Sequence, residues 1–305
     1  MKKHFISLKD YSPQEIRALC ELTSQIKKAP QKYKGALSGK CVGLLFQEPS
    51  LRTKTAFYVG VVQLGGEAVY YNPQEIKLGE REKISDVAKT ISLYLDAVVL
   101  RTFSHKTVLE FAKFSSIPVV NGLTELFHPS QVLADVVTII ESKKDPKKIK
   151  VVFIGDGNNV CNSLIYAISL LGGNLVVATP KKYAPQASIV SQAHSFRRKS
   201  GASIELTTDA CAAAQEADVL YTDVWTSMGR EKEESLRKKV FKNYQINDKI
   251  LELAKKNCIV MHCLPAHRGQ EITDSVIDGK NSVVFEQAEN RLHAAKAILV
   301  KLLKK

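Results

Sequence analysis

Val42-Gly43-Leu44-Leu45-Phe46, followed after a short loop by Ser50-Leu51-Arg52-Thr53-Lys54, decides the fold. The first stretch is an unbroken apolar run, as expected of a strand buried on both faces. The second opens a helix expected from about Arg52 to Leu64 and stopped by Gly65-Gly66. Glu67-Ala68-Val69-Tyr70-Tyr71 then reads as the next strand. The alternation continues with a helix near Ile84 to Leu95, a strand Ala97-Val98-Val99-Leu100 ending at Arg101, a helix over 105–115 and a strand Pro118-Val119-Val120. A helix entered through His128-Pro129 runs to about Glu141, and Pro129 suits its first turn.

Ser142 to Lys150 is charged and contains Pro146, which marks a domain boundary. The pattern then restarts. Val151–Ile154 is a strand, 160–171 a helix ended by Gly172-Gly173, and Leu175–Ala178 a strand. Helix 185–199, strand 203–207, helix 209–217, strand 219–223 and strand Ile259-Val260-Met261 follow, before a last helix over about 287–303. Strands alternating with helices imply an α/β fold of two domains, each a parallel sheet flanked by helices. The expected division is 1–142 and 150–286, with 287–305 a helix returning to the first domain. Such sheets bind ligands beyond the carboxyl ends of their strands. Ser50, Arg101, His128, Asn159, Asp223 and Cys263 all fall there, which points to an active site in the interdomain cleft.

The bulk composition narrows the function classes. The 305 residues suffice for two domains, and 45% hydrophobic with 25% charged residues is ordinary for a globular protein. Met1 to Asp10 carries basic residues without an apolar core, so no secretory signal or transit peptide is expected. No apolar run approaches the roughly 20 residues of a membrane span. The net charge of +13 comes mostly from lysines spread over helical faces and reads as a solvated surface rather than a nucleic-acid footprint. It also suits an anionic small substrate. The six cysteines are scattered, with no metal-ligand spacing, which favours a reducing cytoplasm.

Six short segments carry the chemistry. Ser50 to Thr53 stands between strand and helix and combines hydroxyls, a cation and helix N-terminal N–H groups, which together suit a phosphate; an ordinary N-cap is the plainer alternative. Gly155-Asp156-Gly157-Asn158-Asn159 has the placing of a dinucleotide-binding turn. Yet Val160 occupies the third glycine position, and the next strand ends in Thr179-Pro180 rather than an acidic residue. The Asn pair could instead present amides to an amino-acid ligand. Arg101 could pair with a carboxylate, His128 could be a helix-entry histidine, and Cys263 alone suits a core. Asp223-Val224-Trp225-Thr226-Ser227-Met228-Gly229 holds the sole Trp. Convergence on one sheet-edge crevice favours chemistry over these separate explanations.

Taken together, Ser50–Thr53, Arg101-Thr102-Phe103, His128-Pro129-Ser130-Gln131, Asp156–Asn159, Asp223–Gly229 and His262-Cys263-Leu264-Pro265-Ala266-His267-Arg268-Gly269 resemble the carbamoyltransferases over nearly the whole chain. The Ser-Met-Gly loop and His-Cys-Leu-Pro resemble the ornithine branch rather than the aspartate branch. Leu51 and Lys54 depart from the Thr and Arg of many members, and Lys77 replaces a Gln or His supplied by a neighbouring subunit.

The resemblance implies transfer of a carbamoyl group from carbamoyl phosphate to the side-chain amine of L-ornithine, giving L-citrulline and phosphate, within arginine metabolism. It implies a carbamoyl phosphate site of Ser50, Leu51, Arg52, Thr53, Lys77, Arg101, His128, Gln131, Cys263, Leu264 and Arg291. Arg101, His128 and Cys263 would be catalytic. Asn159, Asp223, Ser227 and Met228 would hold ornithine. No metal or organic cofactor, nucleic acid or membrane is implied, and the expected assembly is a cytoplasmic homotrimer or a multiple of trimers. Another amine, such as putrescine or an N-acylated ornithine, is the nearest rival substrate. A nucleic-acid-binding or regulatory protein is the rival of another class.

Overall fold

The computed structural model describes residues 4–76, 78–143, 145–227, 229 and 231–304. The chain forms two compact units, Met1–Val137 with Glu289–Lys305, and Thr138–Ala288. The divisions fall inside the helices Pro129–Lys143 and Val284–Leu303 rather than at 142–150 and 287.

The first unit is built on β1 (Cys41–Phe46), β2 (Glu67–Tyr71), β3 (Ala97–Arg101) and β4 (Val119–Leu123), in the order β2-β1-β3-β4. Every neighbouring pair is parallel. All five residues of β3 are buried, because helices cover both faces, whereas the edge strand β2 is half exposed. The other edge is shielded by Phe5, whose N–H and C=O pair with Val119 O and Asn121 N at 2.8 Å each. The second unit holds β5 (Lys150–Ile154), β6 (Asn174–Ala178), β7 (Ser203–Thr207), β8 (Val219–Thr222) and β9 (Ile259–His262), again all parallel, in the order β7-β6-β5-β8-β9.

These orders fix where ligands can bind. In each sheet the chain turns to the opposite side after its first two or three strands. The crevice at the switch opens between β1 and β3 in the first unit and between β5 and β8 in the second. Ser50 to Thr53 follows β1 and Arg101 ends β3. Asp156 to Asn159 follows β5 and Asp223 follows β8.

The strand–helix alternation read from the sequence is present, with shifts at the ends. β4 runs on through Asn121-Gly122-Leu123 because the buried Asn121 amide donates to Ile6 O at 3.0 Å. The helix expected over 209–217 is only Ala210–Ala214, and Glu216 at φ 55 lies beyond its end. The longest omission is the helix Pro13–Lys28, which carries a full capping box: Glu15 N–H donates to Ser12 Oγ at 3.2 Å, and Ser12 N–H to Glu15 Oε2 at 2.7 Å.

Candidate active site

The helix Leu51–Gln63 starts at the β1 crevice without a side-chain cap, so the Ser50 hydroxyl leaves its first-turn N–H groups to another partner. Leu51 is 76% exposed, so position 51 offers its backbone rather than its side chain. Lys54 turns away, with Nζ 3.6 Å from the centroid of the Tyr70 ring. Arg52 is half-buried in the same first turn, and Thr53 is fully buried. Arg291, from the helix Val284–Leu303, donates from Nη2 to Thr53 Oγ1 at 2.6 Å.

Arg101 reaches this corner through a fault in the sheet. Leu100 pairs with Asn121 but Arg101 with Leu123, so the register slips by one residue at Gly122 and re-aims the strand end. Burial, then the neighbouring Arg291, pulls the Arg101 guanidinium down to about 10, with Glu48 opposing and Arg52 adding to the fall. His128 enters the helix Pro129–Lys143. Burial holds its pKa well below the ordinary histidine value, and Arg291 and Arg101 reinforce that. A neutral imidazole beside two guanidiniums can donate one N–H to a polarised carbonyl without competing for phosphate charge. Gln131 Nε2 donates to the buried Asp135 carboxylate at 2.8 Å. That bond uses one of the two Nε2 hydrogens, so the side chain can offer a ligand its amide oxygen as an acceptor and a second N–H as a donor.

The second unit is organised differently. Asn158 caps the helix Asn159–Leu171 by accepting from Val160 N at 3.0 Å and Cys161 N at 3.1 Å. Its Nδ2 donates to Asp223 Oδ2 at 2.6 Å. Cys263 Sγ donates to Asp223 Oδ1 at 2.9 Å, and Val224 N–H to the same oxygen at 2.8 Å. A carboxylate has about four lone-pair sites. These bonds leave Asp223 one of them, on Oδ2, for a cation. Arg237 Nη1 donates to Asp156 Oδ2 at 2.7 Å, so the carboxylate of the Gly155–Asn159 loop is already paired.

The Gly155-Asp156-Gly157 turn is not a dinucleotide cradle. A Cβ on Gly157 would lie 2.4 Å from Pro185 N and 2.6 Å from Tyr183 O, and Gly157 N–H already donates to Tyr183 O at 2.9 Å. The chain's own 183–185 segment fills the space a pyrophosphate needs. Asp223, His262 and Cys263 place ligand atoms within 4.8 Å of one another. His262 has no nitrogen left for a metal, because Nε2 meets Glu271 Oε1 at 3.1 Å and Nδ1 accepts from Leu264 N at 2.9 Å. That bond, with Leu264 at φ 58, shapes the His-Cys-Leu-Pro loop.

The structure thus brings Thr53, Arg101, His128 and Arg291 together in the first unit, and Asp223 and Cys263 in the second. Ser227 is half-buried just past Trp225, and Asn159 opens the helix that Asn158 caps. Lys77 and Met228 lie outside the described residues. Four contributors escaped the sequence reading. Asp135, one turn after Gln131, was legible from its i, i+4 spacing. Asn158 stood in the motif but could not be told from Asn159. Arg237 and Glu271 gave no local signal, since their partners lie 81 and 9 residues away. Among the described residues no helix is long and apolar enough to cross a membrane.

Comparisons with known proteins identify the family. Residues 3–141 match the aspartate/ornithine carbamoyltransferase carbamoyl-P binding domain, and residues 147–302 the Asp/Orn binding domain of the same family. An ornithine carbamoyltransferase of Oceanobacillus iheyensis is 48% identical over 99% of this chain and 94% of its own length. One from Archaeoglobus fulgidus is 47% identical over 99% and 98%. The solved structure of the Pyrococcus furiosus ornithine carbamoyltransferase superimposes with a TM-score of 0.96 at 44% identity, covering 99% of this chain and 97% of that one. The anabolic enzyme of Campylobacter jejuni gives 0.94 at 40% identity, covering 99% of each chain. With an uncapped helix and paired arginines in one unit, and a thiol-bonded carboxylate in the other, the chain belongs to the aspartate/ornithine carbamoyltransferase family.

Proposed function

We propose that this protein transfers the carbamoyl group of carbamoyl phosphate to the side-chain amine of L-ornithine, releasing L-citrulline and phosphate. The observation that carries the ornithine reading is the Asp223 carboxylate, 8% exposed, with one lone-pair site open and the Cys263 thiol beside it. An aspartate substrate would call for cations there; an α-ammonium calls for a carboxylate.

In the first unit the phosphate dianion sits on the free N–H groups of the helix start, with Ser50, Arg52, Thr53 and Arg291 around it. Arg101 and the neutral His128 face the carbamoyl oxygen and stabilise the charge that grows there as the amine attacks. The Gln131 amide oxygen accepts from the carbamoyl NH2. In the second unit Asp223, Asn159 and Ser227 hold the α-amino and carboxylate end, and Cys263 and the Leu264 carbonyl lie toward the reacting amine. An alkyl ammonium titrates near about 10.4 in water. It must lose a proton and be the neutral amine when its nitrogen bonds to the carbonyl carbon; the C–O bond then breaks, and the further proton shed by that nitrogen leaves with the phosphate as hydrogen phosphate. Orientation of two bound substrates supplies much of the acceleration.

The reading extends to a cytoplasmic homotrimer acting in arginine metabolism. Leu93 at 81% and Tyr94 at 70% exposure are the kind of apolar surface that a partner subunit covers. The deciding experiment is an amine panel with carbamoyl phosphate, scored for carbamoylated product. Ornithine must exceed putrescine, N-acetylornithine and aspartate by orders of magnitude in kcat/KM. Equal use of putrescine, which is ornithine without its α-carboxylate, would remove the carboxylate-holding role of Asn159 and Ser227. Equal use of N-acetylornithine, whose α-nitrogen is uncharged, would remove the role of Asp223.

A further inference from the structure

Arg237 sits on the helix Glu234–Phe241, 2% exposed, and its hydrogen bonds to Glu233, Asp156 and the Trp225 carbonyl reach no described residue assigned to either substrate. Its guanidinium nevertheless joins the loops that leave three strands. Nη1 donates to Asp156 Oδ2, in the loop after β5, at 2.7 Å. The same nitrogen donates to the carbonyl of Trp225, in the loop after β8, at 2.7 Å. The planar group lies 4.6 Å from the ring centroid of Tyr183, in the loop after β6. Nε is held by Glu233 Oε2 at 2.9 Å, one turn back on its own segment.

The two hydrogen-bonded loops are the ones that carry the amine side of the site. Asp156 is two residues before Asn158, which holds Asp223 Oδ2 at 2.6 Å. Trp225 is two residues after Asp223 and two before Ser227. A backbone carbonyl fixed at Trp225 sets the direction in which the chain runs between those two ligands. We propose that Arg237 is a positioning residue for the α-amino-acid end of the substrate, acting through Asp156 and the Trp225 carbonyl to set the spacing of Asp223 and Ser227. The inference rests on the ornithine reading given above.

A guanidinium suits this task and an ammonium does not. One flat group presents donors in a fixed fork, stacks on an aromatic face and stays charged when buried. Lysine can reach one carboxylate but cannot span Glu233, Asp156 and the carbonyl while covering Tyr183. Breaking a buried ion pair that served only folding would lower stability and weaken all functions alike. A positioning pair affects one substrate.

The test compares wild type with Arg237→Lys and with Asp156→Asn, which keeps the shape of the acceptor but removes its charge. Carbamoyl phosphate affinity is measured by calorimetry without the amine, KM and kcat with ornithine, and amide hydrogen exchange over 223–227 in the free protein. The expected result is a rise of about tenfold or more in the ornithine KM, with carbamoyl phosphate affinity within about twofold and kcat within about threefold of wild type. Exchange should speed up over 223–227 and stay unchanged in β5 and β8. If Arg237→Lys does not fold, Asp156→Asn must show the same split by itself. An unchanged ornithine KM, or an equal loss of carbamoyl phosphate binding, overturns the proposal. Should wild type fail to carbamoylate ornithine, the function reading falls on that result. The exchange comparison still decides whether Arg237 orders the segment, and unchanged exchange rejects it.

Discussion

Arg291 Nη2 donates to Thr53 Oγ1 at 2.6 Å, joining residues 238 positions apart in the chain. Both are more than nine-tenths buried, so the bond is made away from bulk water. It aims a guanidinium at the start of the helix Leu51–Gln63 and adds Arg291 to the field that lowers both Arg101 and His128. A positive corner of this kind is costly when empty and well matched to a dianion.

Thr53→Val keeps the shape and removes the acceptor. A hydrogen bond to a charged group is worth about 1.5–3 kcal/mol, so carbamoyl phosphate affinity should weaken by about tenfold or more. Calorimetry with carbamoyl phosphate or inorganic phosphate checks this. An unchanged affinity would mean that Arg291 needs no help from Thr53 to meet the ligand.

Asp223 and Cys263 should govern the amine and not the phosphate. Asp223→Ala removes the acceptor shared by Asn158, Val224 and Cys263 and leaves a substrate ammonium poorly compensated. The ornithine KM should rise about a hundredfold, the scale of a lost buried charge partner, while carbamoyl phosphate binding without ornithine stays near wild type. Cys263→Ala keeps the carboxylate and should act on kcat and its pH profile. Loss of carbamoyl phosphate binding in both variants, with ornithine affinity preserved, would contradict this division.

The apolar runs made the sheets legible. Val42 to Phe46, Ala97 to Leu100 and Val151 to Ile154 are buried on both faces, so hydrophobicity alone marks them. The edge strand Ser203–Thr207 is largely exposed, so hydrophobicity marks it less clearly than those runs. Elements whose stability comes from capping were harder to see, as the helix Pro13–Lys28 shows. In the site, residues next to strand ends could be named from position. Arg237 and Glu271 could not, because they act across the fold on partners that sequence does not place beside them. Asn158 and Asn159 were separable only once the helix start was known.

Gly157→Ala tests how tightly the second-unit loops are closed. Its Cβ would meet backbone atoms of Tyr183, Ala184 and Pro185 at 2.4 to 2.7 Å, and backbone cannot swing aside as a side chain end can. The variant should lose about 1–3 kcal/mol, as overpacked sites do. Thermal unfolding should occur several degrees lower, with ornithine KM raised before carbamoyl phosphate affinity changes. An unshifted melting temperature would show that the 183–185 segment yields freely.

Histidines buried in the neutral form cost the protein stability in acid. His105, His128 and His293 all have pKa values held below the ordinary histidine range, in each case chiefly by burial. Arg291 and Arg101 add to the effect at His128, and Lys296 at His293. Near neutral pH these rings are neutral in both folded and unfolded chains, and nothing is lost. Below about 6.5 the unfolded chain binds protons that the folded one refuses, so stability falls as pH falls. The decline continues until the pH reaches the folded values. His128 contributes a slope of about 1.4 kcal/mol per pH unit within that window. Melting temperatures between pH 7.5 and 5.5 should therefore drop for wild type and drop less steeply for His128→Gln, which keeps a polar side chain but cannot titrate. Carbamoyl phosphate, by favouring the folded state, should raise the curve at every pH in the window. A His128→Gln profile parallel to wild type would show that this ring takes up its proton in the folded protein as readily as in the unfolded chain, and with it would go the neutral donor assigned to the carbamoyl oxygen.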